Sequence, residues 1–410
     1  MDSRLRMSIL IFFVLLISFI AIMMISEYRN MDRLKSEYPD LPEDTYAYRK
    51  DNLKVWGIRL ILQFIIPFLF LITKLSQRLS IWASGSGRSL FKSGVLYGGA
   101  YLIIVFLINL PINYYASYYL SHKYGLSNQS LLRWIELNLK GFLVNNLIMV
   151  LFLWIPYLIM IKSPKTWWLQ IGLLIIPVMI FMVFISPMVI DPIFNKYTSI
   201  EDERLGQEIS RLLEKANISD ANIYMVDKSK DTKTMNAYMT GISKSKRIVL
   251  WDTTINNLEE REVLSITAHE IGHYVRGHIW KNIIIGSIGT LLMMYLIYLT
   301  SNWILDYSYG SFGFKNIFNY ASIPLFILVI NLYTFLGNPI MNYISRYMER
   351  EADAYEIILT EDRESAITAM EKLYKESLGL PRPSNLYKVW YHTHPTLEER
   401  VEFYKTYPIE

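Results

Sequence analysis

The chain has 410 residues, is 52 % hydrophobic, carries a formal net charge of +4 and contains no cysteine. The missing thiols exclude disulfides, a cysteine nucleophile and a thiolate-bound metal. The modest charge, with no basic run, argues against a nucleic-acid partner, and the clustering of apolar residues excludes an ordinary soluble globule.

Seven apolar stretches are long enough to cross a bilayer, which takes around 20 residues. They fall at about 8–26, 55–73, 94–117, 141–161, 167–190, 282–304 and 320–343. The first follows Arg4 and Arg6, as a signal peptide core would. It is longer than such cores, and no small-x-small cleavage site precedes Glu27, so it reads as a retained span. Residues 1–190 are therefore expected to form a membrane domain of five spans. Within it, 27–53 holds five basic and seven acidic residues with Pro39 and Pro42, the composition of an extramembrane loop.

Residues 191–281 form the main soluble insert. Leu205, Ile209, Leu212 and Leu213 have the spacing of an amphipathic helix ending near Asn217. Short β-rich runs follow at 221–227, 235–242 and 247–253, with Gly241 and Ser243–Lys246 suggesting a hairpin between the last two. Asn257 to Glu260 has a capping-box pattern, after which Leu264, Ala268, Ile271 and Val275 predict a helix. Only single glycines interrupt 258–304, so this helix is expected to run into the sixth span. Spans six and seven occupy 282–343, and a polar, largely helical tail covers 344–410.

The predicted helix carries HEIGHYVR over 269–276. Residues four apart share a helix face, so His269 and His273 can converge on one metal ion. Neutral imidazole suits zinc, and Glu270, about 100° round the helix, can reach a water on that ion. Tetrahedral zinc then leaves one position for a third protein ligand. The tail offers Glu349, Glu351, Asp353 and Glu356. Spans six and seven must be antiparallel, so His273 and Glu349 emerge on one side, ~13 and ~9 Å beyond the apolar boundary at ~1.5 Å per residue. Glu349, Asp353 and Glu356 share a face. That favours Glu349 as ligand and Asp353 as acceptor for a ligand imidazole's N–H. His278 is one residue short of the third-histidine position of the longer zinc motif and reads as structural.

The chain resembles the integral-membrane zinc endopeptidases that include the CAAX prenyl proteases. The resemblance rests on HEIGH (269–273), SRYMEREAD (345–353), NAYMTG (236–241), RIVLWDT (247–253), HPTLEER (394–400) and DPIFNKYTSIE (191–201). It extends to the heat-shock membrane protease of bacteria, which is shorter. It implies a mainly α, polytopic fold whose seven helices enclose a water-filled chamber, with a gluzincin-like α+β zinc peptidase domain on one side. It also implies one zinc ion per chain on His269, His273 and Glu349, with Glu270 as base and His394 near the substrate carbonyl. Asp353 and Arg400 would order the site, and the segment Asn236, Ala237, Tyr238 would pair with an extended substrate. From the residues alone that segment is equally an ordinary strand, and Arg400 more naturally pairs with an acid such as Asp353.

The expected function is peptide-bond hydrolysis by metal-activated water. The substrate is either a CAAX-type terminus next to a lipidated cysteine or a membrane-inserted protein under quality control. The alternative is an inactive scaffold or transporter that keeps the fold. Arg59, Asn109, Asn113, Asn145, Asn146 and Asn331 lie inside spans, where they line a cavity or bond between helices. The short loops on the zinc side hold eight Lys and Arg against nine opposite, so charge does not set orientation. The resemblance implies a catalytic side facing the cytoplasm.

Overall fold

The computed structural model of the chain describes residues 3–200, 202–242 and 245–408. Seven of its helices are long and apolar enough to cross a membrane. The first two are α1 (Ser3–Glu37) and α2 (Glu43–Ile72); α3 (Leu90–Tyr114) continues through a π-turn at Tyr115–Leu120 to Lys123. The fourth spanning unit is α4 (Leu131–Phe152) with the short helix Trp154–Lys162, and the fifth is α5 (Trp167–Ile185).

The insert then supplies β1 (Tyr197–Thr198), α6 (Glu203–Lys215), β2 (Asn222–Val226), β3 (Ala237–Thr240), β4 (Arg247–Trp251) and α7 (Glu260–Val275). The last spans are α8 (His278–Tyr307) and α9 (Ile323–Thr360), followed by α10 (Arg363–Glu376), α11 (Asn385–Tyr391) and α12 (Leu397–Thr406).

The stretch 27–53 is not a loop. α1 and α2 both continue through it, leaving only 38–42 between them. The extensions persist because Met31, Leu34, Tyr46 and Leu53 bury against Leu380 of the tail, which stabilises helix beyond the bilayer.

Packing follows a ring: α2 on α3, α3 on α4, the fourth unit on α5, α5 on α8, α8 on α9 and α9 on α2. At the end away from the insert a large core closes it, with Phe70, Tyr97, Tyr157, Trp167, Phe312 and Tyr320 all buried. Further along, α4 buries only Trp134 and α5 only Trp167, Ile171 and Gly172, so the middle of the ring is hollow. Six of the seven spanning units thus close a ring around a chamber, and α1 packs beside it on α2 and α11. Polar groups inside spans are divided between two uses. Arg59 donates to Asn113 and Asn331 to the Gln63 carbonyl, tying neighbouring helices, whereas Asn109 and Asn146 bond carbonyls of their own helix. Arg59 also lines a cleft of about 440 Å³ with Asn52, Gln63 and Asn338.

The small sheet has strand order β1-β2-β4-β3, with β2 parallel to β4 and β3 antiparallel to it. The expected β3–β4 hairpin is present, and its turn needs Gly241 (φ 90°), where a Cβ would sit 2.2 Å from the Ser245 carbonyl. Ser243 and Lys244 of that turn lie outside the described residues. α6 lays Leu205, Ile209, Leu212 and Leu213 into one core with Ile248 and Leu250 of β4 and Val263, Ile266 and Ile271 of α7.

Two sequence expectations fail here. The capping box lies at Glu259 and Glu262, two residues later than expected, because Asp252–Asn257 forms its own short helix. Nor does α7 run into α8. The chain turns at Gly277, whose φ of 68° is left-handed and ends the helix.

Candidate metal centre

α7 and α9 approach closely through small residues. A Cβ on Gly272 would lie 3.1 Å from the Ala352 carbonyl and from Tyr355 Cβ, so the glycine inside HEIGH permits the contact. This brings the exposed-looking acids of α9 against the two imidazoles of α7. His269 Nε2 and His273 Nε2 lie 3.1 Å apart. Glu349 Oε2 lies 3.4 Å from the first and Oε1 3.4 Å from the second.

These separations suit a divalent metal. Donors about 2.0–2.1 Å from a tetrahedral ion stand roughly 3.3 Å from one another. Glu349 Oε2 is moreover buried without a hydrogen-bond partner, a costly state that a cation relieves. Glu270 is half-buried on the next position of α7, and no described residue donates a hydrogen bond to its carboxylate. Burial pushes that carboxyl above the ordinary carboxylate range against the pull of the two imidazoles.

Each imidazole is held from behind. His269 Nδ1 faces Asp353 Oδ1 at 3.1 Å. If Nε2 is to keep its lone pair for a metal, Nδ1 must carry the proton and donate it to Asp353. Asp353 in turn pairs with the Arg400 guanidinium and accepts from Tyr404 Oη at 3.0 Å. Tyr404 also reaches Glu356 Oε2 at 2.7 Å, and Ser265 donates to Glu356 Oε1 at 2.5 Å. Asp353, Glu356 and Tyr404 are wholly buried, and Arg400 nearly so. His269 Nδ1, Asp353 and Glu356 form a second trio close enough for a metal. Arg400 supplies one counter-charge there and the Tyr404 and Ser265 hydroxyls bond the remaining oxygens except Asp353 Oδ2, so the trio is read as a hydrogen-bonded support behind His269.

His273 has a different support. Its Nδ1 lies 2.8 Å from His278 Nδ1, and His278 Nε2 lies 3.1 Å from Glu351 Oε2. Lys281 closes the chain on the same oxygen at 2.7 Å. In sequence His278 reads as structural, and Glu351 lies off the face that Glu349, Asp353 and Glu356 share. Glu351 does face away, onto His278, but the turn at Gly277 folds His278 back behind its neighbour. The break in the helix creates this contact, and spacing on a continuous helix conceals it.

His394 completes the cluster, with Nε2 3.4 Å from Glu349 Oε1. The Thr393 hydroxyl lies 2.8 Å from its Nδ1; donating there, it leaves the proton on Nε2, on the side of the site. Its side chain is more than half exposed, and desolvation by the surrounding site lowers the pKa of this imidazole below its usual value.

Asn236, Ala237 and Tyr238 do not join the cluster. They belong to β3 and its approach, an edge strand packed on α7 with no strand on its outer side among the described residues. Asn236 Oδ1 accepts from the Ala237 N–H, and Tyr238 Oη bonds Tyr197 and Asp191 at 2.9 and 3.3 Å. The side chains are tied down while the strand's outer edge stays open. Tyr404 and Ser265 carried no signal of their own, although Tyr404 sits one turn after Arg400 on the same helix.

Comparison with known proteins matches both halves of the chain. Residues 199–407 match peptidase family M48, and residues 38–196 match the CAAX prenyl protease N-terminal region of five membrane helices. A Bacillus subtilis protein named an uncharacterized metalloprotease is 32 % identical over 88 % of this chain and 84 % of its own length. CAAX prenyl protease 1 of Saccharomyces cerevisiae is 31 % identical over 72 % of this chain and 68 % of its own. The crystal structure of S. mikatae Ste24p superposes with a TM-score of 0.82 at 26 % identity, covering 95 % of this chain and 97 % of that one.

Proposed function

The chain belongs to peptidase family M48, and from that membership we propose how this membrane metalloprotease works and what it cuts. The family implies a divalent metal, generally zinc; we assign one zinc per chain to His269, His273 and Glu349. The catalytic part comprises 191–281 and 344–410, and spans at 1–190 and 282–343 build the chamber. The observation that carries this reading is the triangle of two Nε2 atoms and one buried, unpartnered carboxylate, with 3.1–3.4 Å edges.

Zinc supplies Lewis acidity, bringing the pKa of a bound water near 7 and polarising a carbonyl. The chain's own residues do the rest. Glu270 takes the water's proton and hands it to the leaving amine. His394 Nε2–H stabilises the oxygen that gains charge. Asp353, fixed by Arg400, orients His269, and the outer edge of β3 aligns an extended substrate backbone by strand addition. All these groups are present, so nothing favours an inactive scaffold.

The hollow ring screens the site from folded domains and admits a thin peptide. We therefore propose CAAX-type processing of a C-terminal segment beside a lipidated cysteine, with the catalytic end facing the cytoplasm. The test compares a farnesylated C-terminal peptide with its unmodified twin on purified enzyme in detergent micelles. A preference for the farnesylated peptide of on the order of tenfold in kcat/KM is expected, about 1.4 kcal/mol of differential binding. Equal turnover would instead favour general degradation of membrane-proximal segments.

A smaller effect is expected at the His273 support. Partners of this kind usually cost 10–100-fold in metal affinity when lost. His278→Ala should weaken zinc binding by about that factor in a chelator competition, while hydrolysis recovers at saturating zinc. Unchanged affinity would make His278 a mere helix-turn residue.

A further inference from the structure

One face of α1 runs unburied along its whole length: Ile11, Val14, Leu15, Ile22 and Ile25, then Arg29 and Arg33. Apart from Ser18 the exposed face within the span is aliphatic, the composition of a surface turned to lipid rather than to a water-filled chamber. The helix rises ~1.5 Å per residue, which puts Arg29 about 6 Å and Arg33 about 12 Å beyond Ile25, at headgroup level. Both side chains are exposed, and no hydrogen bond or ion pair occupies either guanidinium among the described residues.

They do not stand on an open surface. Arg29 and Arg33 form one wall of a recess of about 540 Å³ whose other wall is the tail segment 382–385. Ile22 and Ile25 line its membrane end, and no carboxylate lines it anywhere. The third arginine of the recess, Arg382, is already paired with Glu37 and Glu398. Two uncommitted guanidiniums therefore face a concavity that opens directly onto acyl-chain depth.

We propose that this recess binds the phosphate of an anionic membrane lipid, with Arg29 and Arg33 as its donors and the glycerol end of the acyl chains against Ile22 and Ile25. Guanidinium presents paired N–H groups that match phosphate oxygens, and basic pockets beside spans attract anionic headgroups in this way. The apolar continuation selects a lipid over free phosphate. The bound headgroup also bridges α1 to the tail ahead of His394, so it braces the segment that delivers that residue.

The test uses the full-length, zinc-loaded protein. Binding is read by native mass spectrometry during titration with phosphatidylglycerol or phosphatidylcholine, and thermal midpoints are taken in vesicles of phosphatidylcholine with and without phosphatidylglycerol. Wild type should retain phosphatidylglycerol in preference and melt higher with it. Each guanidinium contributes roughly fivefold near a charged surface, so Arg29→Gln with Arg33→Gln should bind on the order of 25-fold more weakly and lose the thermal gain. Arg29→Lys with Arg33→Lys should keep most of both, which separates charge from folding. Peptide hydrolysis in pure phosphatidylcholine should be the same for all three proteins. Equal retention of the two lipids by wild type, undiminished binding by the glutamine variant, or full displacement by inorganic phosphate at matched concentration would each overturn the proposal.

Discussion

Glu270→Gln should abolish hydrolysis and leave the metal where it is. The substitution is isosteric, and the carboxylate accepts no hydrogen bond from any described residue, so the fold loses nothing by it. What disappears is the capacity to take a proton from water and return it to the leaving nitrogen. Positioned acid–base groups contribute about 10²–10⁴-fold, and here one group serves both transfers, so kcat should fall toward the upper end of that range. Zinc content and thermal midpoint should match wild type. Turnover within tenfold of wild type would remove Glu270 from the proton path.

Arg400→Ala should do different damage. Arg400 is the counter-charge for a pocket that buries Asp353 and Glu356 completely. Removing one partner of a buried pair commonly costs about 3–5 kcal/mol, because the remaining charge is left without compensation. The variant should unfold at a clearly lower temperature and bind zinc weakly, since Asp353 no longer has a fixed place behind His269. Adding Asp353→Asn should return part of the lost stability by removing a charge while keeping an acceptor for His269 Nδ1–H. A double variant no more stable than Arg400→Ala would show that Arg400 acts by packing alone.

The membrane ring and the convergence of His269, His273 and Glu349 were legible because each rests on a short-range rule. Apolar length gives the spans, and four-residue spacing puts His269 and His273 together. The antiparallel pairing of consecutive spans then carries Glu349 to their height, where it is found 3.4 Å away. Less legible was whatever depends on a local break. Gly277 looks like any helical glycine until its left-handed conformation folds His278 behind His273. The charged stretch 27–53 reads as loop by composition, yet a few apolar positions packed on Leu380 keep it helical. Tyr404 and Ser265 enter the site only because α7, α9 and α12 converge, and pattern along a single helix does not report that.

Zinc content of the purified protein tests the account most directly, read alongside the X-ray absorption edge of the bound metal. The wild-type chain should hold about one zinc with two imidazole nitrogens and carboxylate oxygen in its shell, and Glu349→Ala or His269→Ala should empty it. A Glu349→Ala protein that keeps stoichiometric zinc in an unchanged shell would contradict the assignment.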